Sequence, residues 1–182
     1  MKAGSVPFDL TNQRVFVAGH NGMAGSCIVR RLQQEHCQIL TIDHRELDLT
    51  RQAATERYVT SARPDVVIIA AGRVGGIIAN DTYPVEFLAD NLAIELNLIR
   101  ASHAVQVKKL LFLGSTCIYP KFAKQPMSED QLLTGELESS NQWYAIAKIA
   151  GIKLCQACRR QYGSDFISLM PTKSEPYWRR HA

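Results

Sequence analysis

An α/β fold built on an open parallel sheet is predicted by three features of this sequence. Short apolar runs rich in β-branched residues alternate with longer helical patterns along the chain. The first run breaks into three spaced glycines, and the third is apolar at nearly every position. A strand that is apolar throughout is covered on both faces, and right-handed crossovers place helices on both sides of such a sheet. We therefore predict a doubly wound parallel sheet of the Rossmann type.

The first strand leads into a turn with the spacing Gly-x-x-Gly-x-x-Gly. We expect Gly19 to permit a tight turn, Gly22 to let a pyrophosphate approach the backbone, and Gly25 to let the following helix pack against the sheet. Asn21 and Met23 lie in the same turn and are assigned to the cofactor site with the glycines. The unpaired N–H groups and positive dipole end of that helix suit a phosphate. An ordinary strand-to-helix loop is the alternative, because glycines are common at turns.

The second strand, expected at residues 38–42 after a surface helix at 26–36, ends in Asp43. Asp43 lies 18 positions beyond Gly25, near where an acidic residue binds the adenosine ribose in this type of fold. Arg45 follows in the same loop, and its guanidinium could instead pair with the 2′-phosphate of NADP. The residues therefore do not decide between NAD and NADP as the cofactor. The alternative is that this segment is a solvated loop that binds neither.

The rest of the chain continues the alternation and ends in a fifth strand. The expected elements are a polar helix through Ser61 capped by Thr50, a strand at 65–71, a flexible loop at 74–77, a long helix from Tyr83-Pro84 to about His103, a strand at 109–114, a loop at 115–141, a helix at 143–162 and a strand at 166–170. Ala71 and Gly72 let the chain pass close to a ligand. The loop at 115–141 leaves the carboxyl end of its strand, so we expect it to form one wall of an active site.

Tyr144 and Lys148 are spaced to place a phenol and an ammonium on one face of a helix. Together with the glycine turn and with Ser115 at the end of a strand, this pair resembles the extended short-chain dehydrogenase/reductase family. Lys148 and an oxidised nicotinamide ring would both favour the phenolate of Tyr144 and lower its pKa. Ser115 would hydrogen-bond the substrate oxygen, Tyr144 would deliver its proton, and Lys148 would also contact the cofactor. A buried tyrosine beside a surface lysine is the alternative.

Longer segments between Arg14 and Thr172 are similar to the GDP-L-fucose synthase family. They are Gly19 to Gly25, Val74 to Ile77, Asn80 to Pro84, Lys109 to Lys121 and Trp143 to Lys153. The resemblance implies that GDP-4-keto-6-deoxy-D-mannose is epimerised at two carbons and that its ketone is then reduced with NADPH. It also implies that Cys117 exchanges protons during epimerisation, and that the two long helices form a homodimer. From the residues alone, Cys117 is a small packed thiol.

The first departure from that family concerns the cofactor. The family usually holds the 2′-phosphate of NADP with an arginine in the glycine turn and another near the end of the second strand. This chain has Asn21 at the first place and the segment Ile42-Asp43-His44-Arg45 at the second. The prediction of NADP as the cofactor therefore depends on the resemblance and on Arg45 alone, and NAD stays an alternative.

The second departure concerns the carboxyl-terminal end. After Thr172 the family continues through Asn-Leu-Tyr-Gly-Pro to a histidine that partners the cysteine, whereas residues 173–182 do not match it. We predict a Rossmann domain at 1–172, a divergent and disordered tail at 173–182, and a substrate domain that is largely missing. One inserted adenine would turn asparagine-leucine codons into those for Lys173-Ser174. This frameshift hypothesis is tested by sequencing the codons for residues 172–175.

Composition and charge narrow the partners that we expect. The formal net charge of +4 is mild, and residues 173–182 supply half of it, so no nucleic acid partner is expected. No apolar run is long enough to span a bilayer, and residues 1–13 lack the layout of a secretory signal, so we expect a cytoplasmic protein without a membrane partner. The five cysteines are odd in number, which fits a reducing compartment. Cys155 and Cys158 are expected to be packed thiols, and no metal site is assigned.

Three alternatives accompany the predicted synthase activity. The chain could bind the dinucleotide without turnover, because contacts to the nucleotide part of the substrate normally position the reacting carbon. It could also be another sugar-nucleotide epimerase or dehydratase of the same superfamily, although such enzymes would not need Cys117 in its Ser-Thr-Cys-Ile-Tyr-Pro setting. Finally, the shortened sheet could lack the packing to stay folded.

Overall fold

The computed structural model describes residues 8–171. Its elements are β1 (Arg14–Ala18), α1 (Met23–Leu32), β2 (Gln38–Leu40), α2 (Gln52–Ala62), β3 (Val66–Ile69), α3 (Ile77–Thr82), α4 (Pro84–Ala104), β4 (Lys109–Leu113), α5 (Gln142–Tyr162) and β5 (Phe166–Leu169). The predicted α/β class is confirmed, while the predicted tail at 173–182 lies outside the described residues. Within that described range, no helix is both long and apolar enough to cross a bilayer.

The five strands form one parallel sheet in the order β2-β1-β3-β4-β5. Val15 of β1 pairs with Ile39 of β2 on one side and with Val66 of β3 on the other. The strand order therefore reverses at β1, since the chain first adds β2 at one edge and then builds outward through β3 on the other side. Such a reversal leaves a crevice at the carboxyl ends of the strands, where α/β sheets bind their ligands.

The central strands are buried on both faces of the sheet, as their apolar runs predicted. Phe16 and Val17, which are neighbours in β1, belong to different hydrophobic clusters because successive side chains of a strand point to opposite faces. All four residues of β3 are buried. Cys155 and Cys158 of α5 are both buried in the cluster that contains Phe16, which confirms that they are packed thiols.

The predicted cap of α2 and the predicted loop at residue 77 are both wrong, and side-chain hydrogen bonds to nearby groups accompany both differences. Thr50 does not cap α2: its Oγ1 donates to Asp48 Oδ1 at 2.7 Å, and Arg51 takes the N-cap position. Ile77, expected in a flexible loop, is the first residue of α3. In that helix the buried Asn80 side chain donates to two carbonyl oxygens of the preceding glycine loop, at 3.1 Å each.

Helices α4 and α5 pack against each other, and Gly151 of α5 lies where side chains leave no free space. A Cβ on Gly151 would lie 2.6 Å from both Glu95 Oε2 and Phe112 Cζ. We expect Gly151→Ala to lower the free energy of unfolding by about 1–3 kcal/mol. Urea denaturation measures this change, with Gln156→Ala on the exposed side of α5 as the control. Unchanged or higher stability of Gly151→Ala would show that the helices have room for a methyl group.

Candidate active site

The turn after β1 and the loop after β3 meet at the carboxyl edge of the sheet. Gly19 has a φ of +84°, which glycine adopts without strain. A Cβ on Gly19 would also lie 2.5 Å from the backbone nitrogen of Ala71. Glycine is thus required both by the backbone angle and by the close approach of the second loop. The tight turn at Gly19 is confirmed, whereas its contact with a cofactor, like that of Ala71, stays a prediction.

Helix α1 begins at Met23 and not at residue 26 as predicted, because the N–H of Ser26 already donates to the carbonyl oxygen of Gly22 at 2.8 Å. Its first turn has no acidic residue, and Gly22 provides no side-chain cap, so N–H groups stay available to an anion. A Cβ on Gly25 would lie 2.1 Å from the carbonyl oxygen of Gly19. The tightest approach at Gly25 is therefore to the glycine turn rather than to the sheet. These features fit a bound diphosphate.

Asp43 follows β2, beside the glycine turn. Its Oδ1 accepts a hydrogen bond from the backbone N–H of Arg45, and its Oδ2 accepts one from Asn21 Nδ2, both at 2.9 Å. The bond from the Arg45 backbone is the largest influence that holds the pKa of Asp43 below its usual range, so this carboxyl is ionised at neutral pH. The structure thus brings together three residues that the sequence assigned to the cofactor.

The ammonium group of Lys148 is buried between the sheet and α4. Its Nζ lies 3.0 Å from Glu95 Oε1 and 4.7 Å from the ring centroid of Phe112. Since the residue is 3% exposed, the alternative of a surface lysine is wrong. A Cβ on Gly72 would lie 3.7 Å from the same Nζ, so the ammonium also faces the loop after β3. Lys148 therefore joins α5 to the predicted cofactor loop.

Glu95 of α4 is a part of this site that the sequence did not predict. Its side chain is 2% exposed, and burial raises its pKa to about 7 although Lys148 acts in the opposite direction. Its Oε2 has no hydrogen-bond partner among residues 8–171. A single acidic residue within the apolar stretch of α4 was the only local signal, and it does not identify a partner on another helix. The ion pair of Glu95 and Lys148 therefore depends on the tertiary structure, and it sets the charge beside Tyr144.

Tyr144 lies one helical turn before Lys148, whose Nζ is 5.6 Å from the tyrosine ring centroid. Burial first, then the charges of Cys117 and Glu95, raise the pKa of Tyr144, while the Ser115 hydroxyl acts in the opposite direction. Burial also raises the pKa of the Cys117 thiol, which donates a hydrogen bond to Ser115 Oγ at 3.2 Å. The four predicted catalytic residues thus lie together, with the phenol and the thiol both protonated at neutral pH.

The lowered pKa that we predicted for Tyr144 is not found in this structure. The positive charge of Lys148 is directed to the carboxyl of Glu95. It therefore stabilises the ionised form of Glu95 rather than the phenolate of Tyr144. Tyr144 consequently keeps its proton at neutral pH, which is the form needed to protonate an oxygen that gains charge. The effect expected from an oxidised nicotinamide ring stays a prediction.

Asn91 of α4 is a second buried group that sequence reasoning missed. Its Oδ1 accepts from the backbone N–H of Arg73 at 2.9 Å, and its Nδ2 donates to the carbonyl oxygen of Arg73 at 3.0 Å. These paired bonds hold the loop after β3 in the place where Gly72 passes Lys148. Asparagine has a low helix propensity, and its presence inside a long helix was a weak signal of such a role.

Comparisons with known proteins agree with this arrangement. A model of the NAD dependent epimerase/dehydratase family matches residues 15–179. A GDP-L-fucose synthase of Sinorhizobium fredii is 57% identical over 163 residues, which are 90% of this chain and 52% of that protein. GDP-L-fucose synthase 1 of Arabidopsis thaliana is 58% identical over 160 residues, which are 87% of this chain and 50% of that protein. The chain spans about half the length of these curated relatives.

A solved structure extends the similarity to three dimensions. It is a GDP-D-glycero-L-gluco-heptose synthase of Campylobacter jejuni, determined in the presence of NADPH. The two structures share 37% sequence identity and superpose with a TM-score of 0.85. The similarity covers 88% of this chain and 47% of the Campylobacter chain.

Proposed function

The chain belongs to the NAD dependent epimerase/dehydratase family, and from this we propose that it acts in the reaction of a GDP-L-fucose synthase. In that reaction GDP-4-keto-6-deoxy-D-mannose is epimerised at two carbons beside its ketone, and the ketone is then reduced by a nicotinamide dinucleotide to give GDP-L-fucose. The observation that carries the proposal is the grouping of Ser115, Cys117, Tyr144 and Lys148 at one site, where Lys148 pairs with the buried carboxylate of Glu95. The relatives of this chain that are named GDP-L-fucose synthase support it.

Each catalytic side chain has a proposed task that follows from its contacts. Ser115 Oγ accepts a hydrogen bond from the Cys117 thiol, so its own hydroxyl can donate a hydrogen bond to the substrate oxygen, both in the enolate of epimerisation and in the reduction. Tyr144 delivers a proton to the same oxygen, and its raised pKa keeps that proton in place at neutral pH. Cys117 exchanges protons at the carbons beside the ketone: as a thiol it donates a proton to an enolate carbon, and the thiolate that remains takes one up. The dinucleotide supplies the hydride when it is bound.

The proposed cofactor site follows the carboxyl edge of the sheet. The diphosphate binds at the start of α1, over Gly22 and Met23, and the nicotinamide end lies toward Gly72 and Lys148. The solved structure of the Campylobacter relative, determined in the presence of NADPH, supports NADP(H) as the cofactor. The negative charge of Asp43 also affects the choice between NADP(H) and NAD(H). NAD(H) is the alternative form of the same cofactor.

A homodimer through α4 and α5 belongs to the same proposal. Apolar side chains are exposed on both helices, among them Val85 and Leu96 of α4 and Ile146 of α5. Sedimentation of the purified chain at several concentrations measures the oligomeric state. A monomer at all concentrations would contradict this part of the proposal.

Tyr144→Phe is expected to lower turnover of the GDP-keto-sugar by about 10²–10⁴-fold, because it removes the proton donor and little else. Cofactor affinity should stay within error of the unmodified chain. Turnover is followed by oxidation of NADH and of NADPH, with Tyr162→Phe as the control, since Tyr162 lies at the far end of α5 and is 54% exposed. Equal turnover of Tyr144→Phe and the unmodified chain would show that another group donates the proton.

Cofactor binding without turnover is the second candidate function. It is favoured by the glycine turn and the start of α1, whose available N–H groups can bind a diphosphate without any contact to the sugar part of a substrate. Saturable dinucleotide binding by a folded chain that does not consume the keto-sugar would support this candidate and contradict the synthase activity.

A further inference from the structure

The carboxylate of Asp43 is held by two loops rather than left free in solvent. The backbone N–H of Arg45 donates to its Oδ1 from the loop that follows β2. Asn21 Nδ2 donates to its Oδ2 from the glycine turn that follows β1. Each oxygen accepts one of these bonds, and a carboxylate has about four acceptor sites in all, so acceptor capacity is left on both oxygens.

This carboxylate lies where the adenosine end of a dinucleotide would be bound. β2 is the neighbour of β1 in the sheet, and the turn after β1 carries the proposed diphosphate site. Because the nicotinamide end of that site lies toward Gly72 and β3 on the other side of β1, the adenosine end must lie toward β2 and Asp43. Asn21 belongs to the glycine turn and touches Asp43, so the two sites are continuous.

The charges around Asp43 decide which form of the cofactor fits. A ribose hydroxyl can donate a hydrogen bond to a carboxylate, whereas a 2′-phosphate carries only negative charge and acceptor oxygens toward it. The basic side chains that act on the charge of Asp43 are Arg45 and His20, and His44 is its neighbour in the sequence. Arg45 and His44 are both exposed to solvent. Arg45 contributes its backbone N–H to the carboxylate, and its positive charge also favours the ionised form of Asp43.

We propose that this chain binds NAD(H) in preference to NADP(H), with the Asp43 carboxylate accepting a hydrogen bond from the adenosine ribose and Asn21 positioning that carboxylate. The inference rests on the proposed function, in that the glycine turn binds a nicotinamide dinucleotide. It reverses the NADPH expected from family resemblance. Asp43 is a specificity-determining residue. Its substitution should change the ratio of the affinities for NADH and NADPH more than it changes the affinity for NADH alone.

The test is a fluorescence titration of the complete chain with NADH and with NADPH. The unmodified chain is expected to bind NADH at least about tenfold more tightly, which corresponds to about 1.4 kcal/mol. Asp43→Asn keeps the shape of the side chain and removes its charge, so the ratio should fall to about threefold or less, mainly because NADPH binds more tightly. Glu46→Gln is the matched control, since it removes one negative charge from an exposed position in the same loop and should leave the ratio unchanged.

A second titration isolates the adenosine end. ADP and its 2′-phosphorylated form compete with bound NADH, and ADP should compete more strongly with the unmodified chain but not with Asp43→Asn. Asn21→Ala should reduce the same preference, because the carboxylate loses one of its two fixed contacts.

The outcomes separate this inference from the proposed function. Tighter binding of NADPH, equal affinities, or a ratio that Asp43→Asn leaves unchanged would each overturn the preference while leaving dinucleotide binding intact. A chain that is folded by circular dichroism and binds neither dinucleotide would contradict the proposed function itself. Thermal melts of each variant show whether a lost preference reflects a lost fold.

Discussion

The Lys148→Met variant is expected to be less stable than the unmodified chain by about 3 kcal/mol at pH 9, and by less than about 1 kcal/mol at pH 6. Methionine keeps most of the volume of the lysine side chain and removes its charge. The loss arises because Glu95, which is 2% exposed, can no longer ionise beside a cation and must stay protonated in the folded chain at high pH.

The sign follows from the pKa of Glu95, which burial raises to about 7 in the folded chain. An unfolded glutamate has a pKa of about 4.3, so the stability that this group contributes is fully present below about pH 4 and is lost as the pH rises through about 7. Above about pH 7 the Glu95 carboxyl of the unmodified chain is ionised in both the folded and the unfolded state. Its contribution to the free energy of unfolding then no longer changes with pH. In Lys148→Met the pKa of Glu95 is higher still, so stability keeps falling by about 1.4 kcal/mol for each further pH unit.

Urea denaturation of both chains between pH 5 and pH 9, with a reductant for the cysteines, measures the divergence. Lys153→Met is the matched control, because Lys153 lies on the same helix and is exposed. Adding Glu95→Gln to Lys148→Met should remove the extra pH dependence. A constant difference between Lys148→Met and the unmodified chain over this range would show that Lys148 does not govern the charge of Glu95.

Gly25→Ala is expected to lower the free energy of unfolding by about 3 kcal/mol or more and to abolish dinucleotide binding. The added Cβ would lie 2.1 Å from the carbonyl oxygen of Gly19 and 2.9 Å from the Cα of His20. Both are backbone atoms of a turn that is itself pressed against Ala71, so no side-chain rotation relieves the contact. The turn must open, and the N–H groups that would hold a diphosphate move with it.

Thermal denaturation and NADH titration measure the two effects, and for a domain of this size the melting temperature should fall by about 10 °C. Gly76→Ala is the matched control: a Cβ on Gly76 has no atom within 4 Å, and its φ of −69° suits alanine. We expect that variant to melt within about 2 °C of the unmodified chain. Normal melting and NADH binding by Gly25→Ala would contradict the close approach described for α1.

Local patterns predicted the alternation of strands and helices, the parallel sheet and the positions of Ser115, Tyr144 and Lys148 in the fold. A buried strand, a glycine turn and an amphipathic helix each have a periodicity that is contained in a few consecutive residues. Ser115 and the glycine turn could therefore be placed at one edge before any contact was known, because parallel strands have their carboxyl ends on the same side. Tyr144 and Lys148 share a helix face for the same local reason.

Only the tertiary structure decided what these residues touch. Glu95 meets Lys148 because α4 packs against α5, and burial in that interface sets the pKa of its carboxyl. Asp43 was assigned from spacing, but its bond to Asn21 depends on how β2 lies beside β1. Contacts and desolvation arise between segments that are distant along the chain, whereas periodicity reports on one segment at a time. The fold and the grouping of the candidate site residues could therefore be predicted from the sequence, and the charge state of the site could not.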